Sequence, residues 1–145
     1  MQQLLYISKS RIHANLAGYI IPEMVFNARQ KNERLGITGA LIFTGTNFAQ
    51  VLEGPKEVIG CLMSSVCCDP RHHSIAIIQE LSIKERQFAD WRMAYLSPPQ
   101  LVSLYVSSFV NCTTRSEQLE RAEELVALAE ISSLHQSPLG HFGLS

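Results

Sequence analysis

Gln50 is a polar residue in the middle of an otherwise apolar strand pattern. In the stretch NFAQVLEG, alternation places its side chain on the same face as Phe48 and Leu52. A buried amide without partners costs about 1–3 kcal/mol, so this glutamine needs hydrogen-bonding partners. A primary amide presents a donor and an acceptor from one planar group, so both must find partners if the side chain is buried.

Two more polar side chains, Tyr6 and Asn32, also lie at positions that the pattern predicts to face the apolar core. Tyr6 lies in the first predicted strand, which should pair with the strand of Gln50. Asn32 continues a helical stripe whose other members are Met24, Ala28 and Leu35. The three polar groups either satisfy one another and nearby backbone groups, or they surround a flat ligand with alternating donors and acceptors, such as the isoalloxazine ring of a flavin. No cysteine or histidine belongs to this cluster in the sequence pattern, so we expect such a ligand to be held without a covalent bond.

The elements that position these side chains follow a split βαβ pattern. Hydrophobic periodicity predicts the order βαββαββ, an α+β, ferredoxin-like sheet with two helices on one face. The first helix is predicted over residues 18–34, with Pro22 in its first turn and Gly36 at its end. The other core elements are predicted in the stretches QLLYIS, ITGALIFTG, NFAQVLEG, PKEVIGCLMSSVCCDP, HSIAIIQELSI and WRMAYL.

A C-terminal helix is predicted over about residues 116–134, with Ser116 as its cap, and it would cover the other face of the sheet. Its apolar positions recur at helical spacing and are Leu119, Ala122, Leu125, Val126, Leu128 and Ala129. The chain is therefore expected to divide into a core over 1–97, a C-terminal helical extension over 98–135 and a loose tail over 136–145.

Composition excludes several classes of protein. A chain of 145 residues that is 46% hydrophobic and 17% charged fits one globular domain with a real core. The formal charge of −1 comes without a dense basic stripe, so we expect no nucleic acid partner. No apolar run is long enough to span a membrane, and the N-terminus lacks the pattern of a secretory signal. These features predict a cytoplasmic protein without membrane contact.

The cysteines match neither a disulfide framework nor a paired zinc spacing, and they are Cys61, Cys67, Cys68 and Cys112. Two of them stand near a pair of histidines, His72 and His73, but a second pair of ligands is missing from the pattern. We therefore expect no metal site.

The polar cluster and its surroundings resemble the BLUF domain, a blue-light sensor that binds flavin. The similarity covers about residues 2–97 and rests on five fragments in the order of that family. The fragments are LLYIS with Tyr6, KNERLGITGAL with Asn32, FAQVLEG with Gln50, DPRHH with Asp69, Arg71 and His72, and FADWRM with Trp91 and Met93. The resemblance is to the short, stand-alone type of this domain.

The resemblance implies a role for each of these positions. Asn32 would hold the flavin edge, and Gln50 would bridge Tyr6 and the ring, which lies between the two helices. The side chains expected to flank the ring or reach the rest of the cofactor are Met24, Lys31, Phe48, Val66, Asp69, Arg71 and His72. The implied cofactor is FAD, with FMN possible. Ala28 stands where the family often has a serine near the tryptophan, and Ser65 where it has an arginine near the phosphate.

The function implied by the resemblance is light sensing without catalysis of a substrate. Tyr6 would donate an electron and a proton, and Gln50 would be left in a changed rotamer or tautomer. The changed hydrogen bonds would bias the strand that carries Trp91 and Met93. The signal would pass through the C-terminal helix to a separate protein, and we expect the chain to form a homo-oligomer.

Two alternative functions follow from the residues alone. The first is a flavin-dependent oxidoreductase, although no G-x-G-x-x-G turn is present to bind a dinucleotide. The second is a regulatory module of ferredoxin-like fold that binds a small metabolite, which the topology by itself would suggest.

Overall fold

A computed structural model describes residues 1–96 and 114–133 of the chain. Its elements, in chain order, are β1 (Gln2–Ser10), α1 (Ala14–Leu35), β2 (Thr38–Phe43), β3 (Asn47–Gly54), α2 (Lys56–Cys67), β4 (His72–Ser82), β5 (Ala94–Leu96) and α3 (Arg115–Ser133). The predicted boundary after residue 97 and the predicted tail over 136–145 lie outside the described residues. The division into core, extension and tail therefore stays a prediction.

Five strands form one sheet in the order β4-β1-β3-β2-β5. The pairs β1–β3, β1–β4 and β2–β3 are antiparallel, and β5 runs parallel to β2. This arrangement confirms the predicted α+β, ferredoxin-like fold and the pairing of the first and third strands. In that pairing Tyr6 stands directly opposite Gln50.

Alternation along the strands divides the interior into two apolar clusters, one on each face of the sheet. The face under α1 and α2 is filled by a cluster that includes Leu4, Tyr6, Ile21, Val25, Leu41, Phe48, Leu52, Ile59, Met63 and Met93. The opposite face is filled by a cluster that includes Leu5, Ile7, Ala40, Ile42, Val51, Phe88, Trp91, Ala122, Leu125, Val126 and Ala129. Because the last four belong to α3, this helix covers the second face as the sequence predicts.

Helix α1 starts earlier than the sequence predicts. It begins at Ala14, where the His13 ring Nδ1 accepts a hydrogen bond from the Asn15 backbone N–H at 3.4 Å. Pro22 therefore lies inside the helix rather than in its first turn. The prediction that the helix starts near residue 18, which relied on Pro22, was wrong. The end is as predicted, since Gly36 closes the helix in a left-handed conformation with φ of 70°. Leu35 departs from the predicted stripe, because it is exposed.

The C-terminal helix also differs in detail from the prediction. Helix α3 begins at Arg115, and the Thr114 hydroxyl accepts a hydrogen bond from the Glu117 N–H at 3.2 Å, so Thr114 rather than Ser116 caps the helix. Leu119 is exposed although the pattern places it on the apolar stripe. In the described ranges, no helix has the length and apolar character needed to cross a membrane.

Strand β5 spans only Ala94–Leu96, whereas the sequence predicts a strand from Trp91. Trp91 and Met93 therefore precede the strand, in a turn held by backbone hydrogen bonds. The Trp91 N–H donates to the Phe88 carbonyl at 3.0 Å, and the Gly39 N–H donates to the Trp91 carbonyl at 2.9 Å. This turn places the side chains of Trp91 and Met93 in the clusters on opposite faces of the sheet.

Candidate functional site

A cavity of about 240 Å³ lies between α1, α2 and the sheet. Its lining includes every residue that the sequence predicts to bind a cofactor, the predicted electron donor Tyr6 and one of the two predicted relay residues. These are Tyr6, Met24, Lys31, Asn32, Phe48, Gln50, Val66, Asp69, Arg71, His72 and Met93. The fold thus brings together side chains from both helices, from three strands and from the loops that flank β4 and β5.

Tyr6 and Gln50 are hydrogen-bonded across β1 and β3, with the phenol Oη donating to the amide Oε1 of Gln50. On its other side, the Gln50 Nε2 donates to the Sδ atom of Met93 at 3.4 Å. Thioether sulfur is a weak acceptor, so one side of the amide is held strongly and the other weakly. Tyr6 is only 4% exposed, and this burial, together with the negative charge of Asp69, raises the pKa of its phenol. Tyr6 is therefore a neutral hydrogen-bond donor.

Asn32 is buried on α1 and joins the helix to the turn before β5. Its Nδ2 donates to the Arg92 carbonyl at 2.7 Å. Over the part of the chain that the structure describes, its Oδ1 has no hydrogen-bond donor, and the side chain lines the cavity. The amide of Asn32 thus offers an acceptor to a ligand N–H.

A pair of opposite charges, Asp69 and Arg71, stands at the rim of the cavity. The Arg71 Nε donates to the two carboxylate oxygens of Asp69 at 2.9 and 3.1 Å. These bonds hold the pKa of the Asp69 carboxyl below its usual value and raise the pKa of Arg71. The other cation of the rim, Lys31, is exposed on α1. Because Arg71 already has a carboxylate partner, an anionic ligand would have to share this guanidinium with Asp69.

His72, one of the residues that the sequence predicts to bind the cofactor, lines the cavity. Its ring is 6.1 Å from that of Tyr6 and 6.0 Å from that of Phe48. The ring Nε2 faces the Val66 carbonyl at 2.8 Å, and Nδ1 faces the Ser8 hydroxyl at 2.7 Å. A carbonyl only accepts, so Nε2 carries a proton and donates it. Both nitrogens are therefore occupied by the protein, and neither is free to form a covalent bond with a ligand.

Trp91 and Met93 lie on opposite faces of the sheet. Met93 is 1% exposed and lines the cavity, whereas Trp91 belongs to the apolar cluster under α3. The sequence did not decide which of the two faces the site. Ala28, which lines the cavity on α1, offers only a methyl group there, so this position gives an inward indole no hydrogen-bond acceptor.

Comparison with known proteins identifies the family. The family model of BLUF, described as sensors of blue-light using FAD, matches residues 1–94. The chain belongs to the BLUF family. It is thus a blue-light sensor domain of a family that binds flavin, and the resemblance seen in the sequence is confirmed.

The relatives of this BLUF chain include both large and small proteins. It is 44% identical over 55 residues to the blue light- and temperature-regulated antirepressor BluF of Escherichia coli K12, a match that covers 38% of this chain and 14% of that protein. The chain therefore spans only a small part of this curated relative. The dark-state structure of BlrB, a BLUF protein, is similar with a TM-score of 0.69 and 30% identity, over 87% of this chain and 94% of that one. The photo-activated state of BlsA shares the fold, with a TM-score of 0.75 and 24% identity over 90% of this chain and 94% of that chain.

The cavity of this BLUF chain has the features that a flavin ring requires. Apolar side chains from α1 and α2 form its two walls, and amide groups that can donate or accept lie at one edge.

Three residues that line the cavity were not predicted from the sequence, namely Asn27, Leu41 and Leu62. Each carried a signal, since Asn27 is one helical turn before Lys31, Leu62 one turn before Val66, and Leu41 stands opposite Gln50 in the sheet.

Proposed function

We propose that this BLUF chain is a photoreceptor whose switch is the hydrogen-bonded pair Tyr6 and Gln50. The observation that supports the proposal is the asymmetry around the Gln50 amide. Its oxygen accepts from the buried phenol of Tyr6, while its nitrogen donates to the sulfur of Met93, a weak acceptor. An amide held in this way can exchange the sulfur for a better partner at small cost.

The cofactor of the proposal is FAD, bound without a covalent link. The ring would lie between Met24 on α1 and Val66 on α2, with Phe48 at one end. Its polar edge would face Asn32, whose Oδ1 is available to accept an N–H. The side chains at the rim would contact the ribityl chain, the phosphates and the adenine, and they are Lys31, Asp69, Arg71 and His72.

A bound flavin supplies absorption of blue light and, in its excited state, an acceptor for one electron. Tyr6 is the proposed donor of this electron, and its phenolic proton leaves along the hydrogen bond to Gln50 Oε1. Return of the electron and the proton to Tyr6 would leave no net redox change. What remains is a rotated or tautomerised Gln50, whose Nε2 no longer donates to Met93.

The signal is proposed to leave the chain by contact with a separate protein rather than by catalysis. The name of BluF from Escherichia coli describes a blue light- and temperature-regulated antirepressor. In this chain the turn with Trp91 and Met93 contacts both faces of the sheet, and α3 covers the face of Trp91. We propose that α3 and its neighbouring residues relay the change, within a cytoplasmic homo-oligomer.

The test of this function is the absorption spectrum of the purified chain in the dark and under blue light. We expect a yellow protein whose flavin bands shift reversibly to the red without bleaching. Heat or acid should release the flavin, and chromatography should identify it as FAD. A colourless protein would favour the metabolite-binding alternative, and light-induced bleaching without a red shift would contradict the proposed switch.

A further inference from the structure

Glu53 is a fully buried carboxylate on the face of the sheet covered by α3. It lies on β3 three residues after Gln50, so alternation points the two side chains to opposite faces. The Glu53 Oε1 accepts the Phe88 N–H at 2.8 Å, and the Oε2 accepts the Gln87 N–H at 3.0 Å. A third donor, the Nε2 of Gln3, reaches Oε2 at 2.9 Å. This buried charge is therefore satisfied by hydrogen bonds, as a buried carboxylate must be.

These bonds fix one end of the segment 87–93, and the cavity fixes its other end. At the first end, Glu53 holds two consecutive backbone N–H groups of the segment. At the second end, Gln50 donates to the Met93 sulfur, and the Arg29 Nε donates to the Met93 carbonyl at 2.9 Å. The same strand, β3, thus holds the segment at both ends through side chains on opposite faces.

The Gln87 side chain extends this arrangement to α3. Its Oε1 accepts from the Gln3 Nε2 at 2.6 Å, and its Nε2 donates to the Glu130 Oε2 at 3.1 Å. The apolar contacts between α3 and the sheet are non-directional, so a small shift of the segment changes them little. A hydrogen bond has a preferred distance and angle, so the contact from Gln87 to Glu130 responds to such a shift.

We propose that Glu53 and Gln87 are positioning residues that couple the Gln50 switch to α3. In the dark, the segment 87–93 is held between Met93 in the cavity and the carboxylate of Glu53. When Gln50 releases the Met93 sulfur, the segment moves relative to Glu53, and Gln87 passes this movement to Glu130 on α3. The inference rests on the proposed function, because it needs a light-driven change at Gln50.

The test compares Gln87→Ala with Glu85→Ala in the full, flavin-loaded chain. Gln87 is exposed, so its truncation leaves the fold intact, and Gln3 keeps its bond to Glu53. Glu85 is the matched control, because it is an exposed side chain of similar size in the same loop, with no hydrogen bond or ion pair to any described residue. Two quantities are measured for each protein, namely the red shift of the flavin bands and the light-minus-dark difference in amide hydrogen exchange over residues 115–133.

We expect the parent chain and Glu85→Ala to show both the red shift and the exchange difference in α3. Gln87→Ala should keep the full red shift and lose the exchange difference. If Gln87→Ala keeps both, or if the parent chain shifts its spectrum without any exchange difference in α3, the coupling route is wrong while the light switch stands. If the parent chain shows no red shift, the proposed function itself is overturned and the coupling with it.

Discussion

Replacing Tyr6 and Gln50 one at a time separates the proposed electron donor from the proposed switching group. Tyr6→Phe removes the phenol that donates to Gln50 Oε1 and keeps the ring in its apolar cluster. Gln50→Leu removes the amide and keeps the phenol. Both variants should lose the reversible red shift of the flavin bands, because the first lacks the donor and the second lacks the group that rearranges.

The cost of either change to stability follows from the hydrogen bond that is lost. In Tyr6→Phe the Gln50 Oε1 loses its donor, and in Gln50→Leu the buried Tyr6 Oη loses its acceptor. A buried polar group left without a partner costs about 1–3 kcal/mol, so the free energy of unfolding should fall by about that amount in each variant. We expect both proteins to stay folded and to bind flavin.

Fluorescence of the bound flavin distinguishes the two variants. Tyr6→Phe should fluoresce brightly, since the donor that quenches it is gone, whereas Gln50→Leu should remain quenched by electron transfer from Tyr6. Tyr19→Phe serves as the control for removal of a phenol, because Tyr19 is 79% exposed on α1. A Gln50→Leu protein that binds flavin and shows the full reversible red shift would refute the amide switch.

Three further variants test the surroundings of the switch. Met93→Leu removes the weak acceptor of Gln50 Nε2. The red shift should persist, and the lifetime of the lit state should change by no more than about fivefold, because the lost bond contributes about 1 kcal/mol or less. Loss of the red shift would contradict this expectation. Asp69→Asn tests the pair with Arg71 by denaturation at several pH values. Because the pKa of Asp69 is lowered in the folded state, the ionised carboxylate stabilises the fold above a pH of about 4, and this stabilisation is lost as the pH falls through the lowered pKa. The free energies of unfolding of parent and variant should therefore differ at neutral pH and converge in acid. Gln79→Met should raise the free energy of unfolding by about 1–3 kcal/mol in urea denaturation, because the buried Gln79 Oε1 has no hydrogen-bond partner among the described residues. A variant less stable than the parent chain would show that this oxygen is satisfied.

The pairing of Tyr6 with Gln50 was predictable because alternation and topology both act on it. Each residue shares a strand face with apolar neighbours, and a split βαβ order makes their strands adjacent. Asn32 followed from helical spacing in the same way. These predictions rest on regular elements, where periodicity fixes the direction of a side chain.

The positions of Trp91 and Met93 were not predictable by the same rule. Two residues apart on a strand, they would share one face. The chain is not a strand there, since β5 begins at Ala94, and the turn sends the two side chains to opposite faces. Glu53 did carry a signal, because it is an acidic residue that continues the apolar pattern of β3, but its partners in the loop before β5 have no periodic pattern that would reveal them.

The proposed rearrangement of Gln50 is most directly measured by the light-minus-dark infrared difference spectrum of the flavin-loaded chain. The spectrum would be recorded with unlabelled glutamine and with glutamine carrying ¹³C at its side-chain carbonyl. We predict difference bands that shift on labelling and that are absent from Gln50→Leu, because the carbonyl of this amide changes its hydrogen bond on illumination. A full red shift in the visible spectrum with no label-sensitive infrared bands would contradict the account.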